Sequence, residues 1–285
     1  MNQPTYMRQR YLLSFVGQLG ANGISRTNLQ KLIFLNEQDS GISYYDFIPY
    51  IYGPYSFQLE RDIEVLCRDS YLRKVDKRLC LEDYGFITNT LSIAAERGDD
   101  LLRTTYRKCP YYAIHSTVLH RLFSDSEIEY ILQRGKPACS NDSVLFTIGY
   151  EGLSLEAFIN ILIKNDIRLL CDVRKNPISR KFGFSRVQLE SVLPNLKINY
   201  INIPELGIDS DKRASLNARV DYENLFSDYS DTLHERVIYL KKIYELLSRK
   251  KRIALMCYEK DPEMCHRNII RSYLVEMYGM ESMNL

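Results

Sequence analysis

Two hydrophobic patterns alternate along the second half of the chain. Continuous apolar runs, which are typical of strands buried on both faces, occur at 143–150, 167–174, 198–206 and 252–260. Segments with apolar residues at helical spacing follow these runs, at 154–166, 184–197, 223–250 and 262–279. Ser154 and Ser185 are the candidate N-caps of the first two helices. Because strands and helices alternate, the pattern predicts an α/β domain with a mainly parallel sheet over residues 143–285.

The first half of the chain has apolar residues at helical spacing and only short extended segments. Helices are predicted at 5–19, 25–38, 55–72 and 90–107, and a short ribbon at 73–87. Helices followed by a ribbon in this order are typical of a winged-helix-like domain. We therefore predict a mostly α-helical, winged-helix-like domain over residues 1–107, followed by a helical connector over 108–142.

The charge of the chain is balanced, which limits what can be concluded about polyanionic partners. There are 38 basic and 36 acidic residues, and the net charge is +2. Contact with nucleic acid therefore requires a local basic patch. The candidate DNA-binding residues are those of the predicted ribbon, Arg73, Lys74, Lys77 and Arg78. The alternative is a small helical interaction module with a solvated basic edge.

Hydropathy and cysteine usage indicate a cytoplasmic protein with no membrane partner. No apolar run approaches the about 18 residues of a membrane helix, and the N-terminal residues lack the pattern of a signal peptide. The seven cysteines are an odd number and are widely scattered, which is typical of reduced thiols rather than of a disulfide framework.

Polar residues follow three of the predicted strands, at the edge of a parallel sheet where ligands bind. They lie within 149–152, 171–185 and 257–267. The candidate anion- or substrate-binding residues are Tyr150, Arg174, Ser179 and Arg267. The candidate catalytic residues are Asp172, Glu259, Cys265 and His266. Two functions are compatible with such a site, an anion-binding active site and a purely structural network of carboxylates and arginines.

The start of the last predicted helix has the strongest chemical signal. Its backbone N–H groups favour an anion there, and Arg267 could add a bidentate fork. The same environment favours a thiolate, so Cys265 is a candidate nucleophile, with His266 able to assist. Proton transfer is assigned to Asp172 or Glu259. Cys257 is expected to be a buried strand residue.

Metal and cofactor sites are not expected from the spacing of the motifs. Zinc sites usually have cysteine pairs two to four residues apart, whereas Cys257 and Cys265 are eight apart. A redox pair of the same two residues would require the intervening loop to fold back. Neither GxxxxGK[ST] nor GxGxxG occurs, so ATP hydrolysis and standard dinucleotide binding are not expected. We predict neither a metal nor a cofactor.

Several motifs within residues 144–278 together resemble a known family. They are "FTIGYEG", "DVRKNPISRKFGFSRVQLE", "INYINIPELG" and "LMCYEKDPEMCHR". The segment is similar to domain-of-unknown-function family 488, with its DVR-x-x-P-x-S and C-x-E…CHR patterns. Those patterns fall on Asp172, Arg174, Pro177, Ser179, Cys257, Glu259, Cys265, His266 and Arg267. Ile208 departs from the family, which usually has a second glycine there, and this puts the loop that closes over the site in doubt.

The resemblance implies an α/β domain with a polar pocket built from both motifs, and it supplies no reaction. The first 110 or so residues lie outside it and are only loosely similar to winged-helix-like modules of prokaryotic toxin–antitoxin and defence proteins. Residues and resemblance together predict an enzyme, a hydrolase or transferase, that acts on a nucleotide-like or phosphorylated substrate or on nucleic acid. The alternative is a non-catalytic regulatory module that senses a ligand or binds DNA or protein, with a role in defence. Formation of a homo-oligomer stays open.

Overall fold

The chain divides into two compact units, Met1–Lys136 and Pro137–Leu285, here called the N-terminal and C-terminal units. The computed structural model describes residues 4–20, 22–82, 93–213 and 219–285. The N-terminal unit is mainly helical, and the C-terminal unit contains a parallel sheet with flanking helices. The predicted fold class is confirmed at this level.

The N-terminal unit has short strands between its helices. Its helices are α1 (Met7–Gln18), α2 (Arg26–Ser40), α3 (Phe57–Arg68), α4 (Gly98–Lys108), α5 (Leu119–Leu122) and α6 (Asp125–Gly135). Its strands are β1 (Ile24–Ser25), β2 (Ile48–Tyr50), β3 (Gly53–Tyr55), β4 (Leu72–Val75) and β5 (Arg78–Leu81). A 3-10 turn covers Pro110–Ala113. The predicted ribbon is the antiparallel β4–β5 hairpin, to which β1 adds a third strand. Parts of the predicted ribbon and of the helix at 90–107 lie outside the described residues.

Local sequence explains where the main N-terminal helices begin. Ser25 and Ser56 accept hydrogen bonds from the N–H groups of Asn28 and Leu59 and so cap α2 and α3. The apolar faces of α1, α2 and α3 share one core, and α4, α5 and α6 contribute to a second cluster. Lys31 lies on α2 and is only 2% exposed, and this burial lowers its pKa to about 7.

The C-terminal unit alternates strands and helices as predicted. Its strands are β6 (Val144–Gly149), β7 (Leu169–Asp172), β8 (Asn199–Asn202), β9 (Arg252–Cys257) and β10 (Glu281–Asn284). Its helices are α7 (Leu155–Lys164), α8 (Arg186–Val192), α9 (Arg219–Asp231), α10 (Val237–Lys250) and α11 (His266–Tyr278). Short 3-10 turns cover Leu193–Leu196, Pro204–Leu206, Ser210–Arg213, Leu233–Arg236 and Pro262–Met264.

The strands of the C-terminal unit form a parallel sheet in the order β10-β6-β9-β7-β8. The strand β10 was not predicted, because Glu281–Asn284 has no apolar run and pairs at the sheet edge. In the register, Cys257 lies beside Gly149, and Asp172 lies between Met256 and Asn202. The carboxyl ends of β6, β9 and β7 are therefore neighbours, and the three polar segments predicted from the sequence follow them directly.

Two predicted helices are interrupted at prolines. The predicted helix at 184–197 is α8 followed by a 3-10 turn that contains Pro194. The helix predicted from Pro262 is a separate 3-10 turn, after which the extended residue Cys265 caps α11. His266 and Arg267 are consequently the first two residues of α11. No described helix is long and apolar enough to cross a membrane.

Candidate functional site

A buried ion pair joins Asp172 and Arg174 at the end of β7. The guanidinium donates from Nε to Oδ1 at 2.8 Å and from Nη2 to Oδ2 at 2.6 Å, and the Arg174 backbone N–H also binds Oδ1. The Tyr200 hydroxyl donates to Oδ2 at 2.6 Å. Asp172 is fully buried, and Arg174 is 7% exposed. These contacts form a closed, charge-assisted network that fixes the guanidinium in one position.

Aromatic rings hold the other side of Arg174. The Tyr150 hydroxyl accepts from Nη1 at 2.8 Å, and the Phe184 carbonyl accepts from Nη2 at 2.9 Å. The Tyr150 ring stacks on Phe184, with centroids 4.2 Å apart and planes at 10°. The same hydroxyl contacts Ser179 Oγ at 3.4 Å. Tyr150, Arg174 and Ser179 therefore lie together, as the sequence predicted.

Three sulfur and nitrogen side chains converge where β9 passes into α11. The Sγ atoms of Cys257 and Cys265 each lie 3.8 Å from Nδ1 of His266, and the three atoms are all within 4.8 Å of one another. The cluster is almost completely buried. We call these three residues the Cys–Cys–His cluster.

The hydrogen bond of Nε2 determines which tautomer His266 adopts. Nε2 lies 3.1 Å from the backbone carbonyl oxygen of Val173. A carbonyl oxygen only accepts hydrogen bonds, so Nε2 carries the proton and Nδ1 has a lone pair in the neutral ring. That lone pair faces both sulfur atoms. The ring of Tyr229 packs edge-on against the imidazole, with centroids 5.6 Å apart.

Glu259 is half-buried beside Cys257. The Cys257 thiol lies 3.1 Å from Oε2 of Glu259, so it can donate a proton to this carboxylate. Thiol, carboxylate and imidazole are thus within contact distance of one another.

Arg267 is 1% exposed and holds the loop after β9. Its Nη1 donates to the carbonyl oxygen of Glu259 at 2.5 Å, and its Nη2 donates to that of Lys260 at 3.0 Å. The same segment packs on Gly149, where an added Cβ would lie 1.8 Å from the Glu259 carbonyl oxygen. Arg267 and Gly149 therefore position Glu259, and the sequence did not predict this task for Arg267.

Burial and neighbouring charges set the protonation of the cluster. Burial, together with Cys257 and Glu259, raises the pKa of Cys265 well above its usual value, although the charge of Arg267 acts in the opposite direction. Burial and the Asp172 carboxylate raise the pKa of Tyr200, so its hydroxyl stays protonated and donates to Asp172. Burial lowers the pKa of Lys181, which donates to the Tyr150 carbonyl oxygen.

A cavity of about 240 Å³ opens at this edge of the sheet, and we call it the site cavity. Its lining combines both sequence motifs and comprises Tyr150, Arg174, Lys175, Asn176, Ile178, Ile208, Cys257 and Tyr258. Of the predicted site residues, Tyr150 and Arg174 line it directly. Cys257, which was predicted to be only a buried strand residue, also lines it, whereas the candidate nucleophile Cys265 does not.

A second cavity of about 430 Å³ lies next to the site cavity and shares Ile208 with it. Asp209, Asp221, Asp228, Lys212 and Arg236 give this cavity a polar, mixed-charge lining. Ile208, the departure from the family pattern, is thus a buried residue between the two cavities.

Sequence reasoning missed several residues of the site, among them Lys175, Tyr200 and Tyr258. Lys175 borders the cavity and forms a loose ion pair with Asp209 at 3.7 Å. Tyr258 is 45% exposed and its ring packs edge-on against Tyr150. Both follow strands directly and could have been found by their position, whereas Tyr200 precedes the end of β8 and its contact with Asp172 required the register.

The candidate DNA-binding residues lie on the β4–β5 hairpin. Arg78 donates to the carbonyl oxygen of Gly23, and Arg73 lies 3.5 Å from Glu82. Lys74 and Lys77 are exposed at and near the turn. The hairpin therefore presents two lysines to solvent, while its two arginines have contacts within the N-terminal unit.

Comparison with known proteins supports the resemblance seen in the sequence. Residues 154–274 match the family described as domain of unknown function DUF488. The matched segment includes Asp172, Arg174, Glu259 and the Cys–Cys–His cluster. No curated protein and no solved structure matches the chain significantly.

Proposed function

We propose that the C-terminal unit is an enzyme, a hydrolase or transferase, that acts on a nucleotide-like or phosphorylated substrate in the site cavity. One observation carries this proposal. Cys257 lines the cavity, and its thiol contacts both the Glu259 carboxylate and the His266 imidazole. Clusters of reactive and titratable groups at the wall of a cavity are the usual mark of an active site.

The lining of the site cavity favours a substrate with an anionic and a flat part. Arg174 has its guanidinium fixed before any ligand binds, and Lys175 adds positive charge that Asp172 does not neutralise. The rings of Tyr150 and Tyr258 offer a surface on which a base can stack. A nucleotide matches the charge and the aromatic surface, with its phosphate beside Lys175 and its base stacked on Tyr258.

The proposal gives each site residue a task. Glu259 transfers the proton, and the Cys–Cys–His cluster presents the nucleophile at the cavity wall. Asp172 positions Arg174, since its carboxylate is fully used by Arg174 and Tyr200. Arg267 positions Glu259 through the backbone carbonyl groups.

Incubation with pools of nucleotides and of DNA, followed by mass spectrometry, tests this function. We expect wild type to convert one substrate class and Glu259→Gln to be slower by about 100-fold or more, which is typical for loss of a general acid or base. Glu263→Gln, on the exposed turn nearby, is the matched control and should retain activity. If folded wild type converts no member of either pool, the enzyme proposal fails.

A second candidate is a non-catalytic module that senses a small anion, which Lys175 at the wall of the site cavity supports. Asp172, Tyr150 and Phe184 accept from Arg174 and leave its guanidinium one N–H for a ligand. If the module only senses its ligand, a nucleotide raises the melting temperature and is recovered unchanged. Lys175→Ala should remove the shift, whereas the exposed control Lys164→Ala should keep it. Consumption of the nucleotide would exclude the sensing role.

We further propose that the N-terminal unit is a winged-helix-like module that contacts nucleic acid through the β4–β5 hairpin. The order α1, β1, α2, β2, β3, α3, β4, β5, in which helices are followed by the hairpin, and the two exposed lysines support this role. The seven cysteines all have free thiols, which supports the cytoplasmic location proposed from the sequence.

The salt dependence of DNA binding tests the hairpin. Each lysine that contacts a phosphate contributes about 1 to the slope of log affinity against log salt. Replacement of Lys74 and Lys77 by glutamine should therefore lower the slope by about 2. The control Lys164→Gln with Lys241→Gln, exposed in the C-terminal unit, should leave it unchanged. Equal slopes for the two double variants would contradict the contact.

A further inference from the structure

We infer that Cys257, Cys265 and His266 hold a thiophilic divalent cation, with Zn²⁺ the first ion to test. Two thiols and an imidazole nitrogen are the ligand types that zinc prefers in proteins. Both sulfur atoms lie 3.8 Å from the same nitrogen, and all three atoms lie within 4.8 Å of one another.

The two sulfur–nitrogen distances are close to those of a tetrahedral zinc site, and the third distance, between the sulfur atoms, is at most 4.8 Å. With Zn–S of about 2.3 Å and Zn–N of about 2.0 Å, a sulfur and a nitrogen ligand are about 3.6 Å apart. The observed separation of 3.8 Å therefore requires a shift of only a few tenths of an ångström.

In the metal-free protein both thiols have an acceptor, since Cys257 can donate to Glu259 and Cys265 can donate to Nδ1 of His266. A cation between the three atoms satisfies all of them at once. The same cation also compensates the burial of two thiolates, since two negative charges and a dication sum to zero.

The contact of His266 with Val173 is the kind of support that metal-binding histidines have. A ligating imidazole almost always donates its other N–H to a carbonyl oxygen or a carboxylate, which fixes the tautomer and the ring plane. Nε2 of His266 lies 3.1 Å from the Val173 carbonyl oxygen, and Nδ1 therefore faces the sulfur atoms.

The spacing of eight positions between Cys257 and Cys265 did not predict a zinc site. The fold nevertheless brings the two cysteines close together. The chain turns back through Pro262–Met264, and Cys265 begins α11 next to the end of β9. The ligands thus come from the end of a strand and the first turn of a helix, which are rigid elements.

The catalytic consequence of the cation rests on the proposed function. Three protein ligands leave a fourth position, and Cys257 lines the site cavity, so a metal-bound water there can meet the substrate. When bound, the ion would supply Lewis-acid activation of a water in that position. Glu259 would take the proton from the water as it attacks and would pass it to the leaving group, so atoms and charge would balance.

Metal binding by the full chain tests the inference without any substrate. Protein is prepared with reductant and chelator, titrated with Zn²⁺ against a chromophoric chelator, and its metal content is measured by mass spectrometry. We expect one zinc ion per chain. Co²⁺ should give the charge-transfer absorption of a thiolate complex. Because the thiols must lose their protons to bind the ion, affinity should rise with pH.

Cysteine variants test whether the ion binds at the Cys–Cys–His cluster or at another cysteine. Cys265→Ser should lose the ion, and His266→Gln should bind at least about tenfold more weakly. Cys139→Ser, which changes an exposed cysteine outside the cluster, should bind as wild type does. Equal zinc binding by Cys265→Ser and Cys139→Ser overturns the site. If Cys265→Ser does not fold, the wild-type protein tests the site by itself. Binding of Co²⁺ without the charge-transfer absorption of a thiolate complex would then overturn the site.

The measurements distinguish failure of the metal inference from failure of the enzyme proposal. Turnover by metal-free protein that zinc does not change overturns the metal's catalytic role, and the enzyme proposal stands. One tightly bound zinc with no turnover supports the site and overturns the enzyme proposal.

Discussion

At the scale of single residues, burial decides which task a charged side chain performs. Arg267 stands in the first turn of α11, where the sequence predicts an anion fork. Its guanidinium is buried instead, and it donates to the carbonyl oxygens of Glu259 and Lys260. Backbone carbonyl groups inside a protein need donors, and a nearby arginine that supplies them is no longer directed at a ligand.

Replacement of Arg267 measures this positioning role. Arg267→Met leaves two backbone carbonyl groups without their donor, so we expect the free energy of unfolding to fall by about 2 kcal/mol. Urea denaturation measures the loss. Arg186→Met removes an exposed ion pair with Glu190 and serves as the control, with no measurable change expected. A stable Arg267→Met protein that had lost ligand binding would restore the anion role predicted from the sequence.

Lys31 gives the stability of the N-terminal unit a dependence on pH. Its pKa is lowered from 10.5 to about 7 by burial. Between these values the unfolded chain binds more protons than the folded chain, so stability rises with pH from about 7 to about 10. Below pH 7 both states are protonated, and the buried charge destabilises the fold throughout.

Lys31→Met removes this dependence. The variant should be more stable than wild type at pH 6, and the difference should shrink as pH rises to 10. The comparison uses urea unfolding at several pH values. Glu37, whose pKa burial raises to about 7, has the opposite sign below pH 7 and is present in both proteins, so it cancels in the difference. A difference that is the same at pH 6 and pH 10 would contradict the shifted pKa of Lys31.

At the scale of elements, the junctions between strands and helices build the site. The end of β9 lies beside the end of β6, and the loop after β9 passes over Gly149 before α11 begins. Only glycine allows this approach, because a Cβ would lie 1.8 Å from the Glu259 carbonyl oxygen. The position of Glu259 therefore depends on the absence of a Cβ atom at residue 149.

Gly149→Ala tests this dependence. The added methyl group must displace the Glu259 segment, so we expect a loss of about 3 kcal/mol in the free energy of unfolding, together with lower turnover. Gly152→Ala is the matched control. It has no atom within 4 Å of its new Cβ but has φ of +78°, so it should lose only about 1 kcal/mol. The measurements are thermal and urea unfolding, and equal losses would contradict the contact.

At the scale of the whole molecule, the chain consists of two units with separate hydrophobic cores. The core of the C-terminal unit lies between the parallel sheet and helices such as α10 and α11. A unit with its own core and its own complete sheet has what it needs to fold alone.

Expression of Pro137–Leu285 alone tests this independence. We expect one cooperative thermal transition and the near-ultraviolet circular dichroism of a packed protein. The full chain is the reference. A fragment that binds a hydrophobic dye and unfolds without a transition would show that its core requires the N-terminal residues.

The sequence predicted the parts of the fold that hydrophobic periodicity controls. Three of the four apolar runs became β6, β7 and β9, because strands inside a parallel sheet are covered on both faces. The fourth run contains β8, an edge strand that is only partly buried, whereas the other edge strand, β10, was not predicted because it has no apolar run. The meeting of Asp172 and Arg174 with Tyr150 followed from strand order, since carboxyl ends lie along one edge.

Contacts that depend on the path of a loop could not be predicted. Spacing in the sequence separates Cys257 from Cys265, and only the turn at Pro262–Met264 brings their sulfur atoms together. The direction of Arg267 likewise depends on which backbone carbonyl groups remain without partners after the loop has folded. The sequence therefore predicted which residues lie together in the site better than it predicted what each residue does.

The Glu259 carbonyl oxygen links two distant positions, and this has an evolutionary consequence. It accepts a hydrogen bond from Arg267 and occupies the space that a side chain at residue 149 would need. A lineage that gains a side chain at 149 moves the oxygen away and releases the selection that keeps arginine at 267. In an alignment of related chains we therefore expect the two positions to covary, with glycine and arginine retained or lost together.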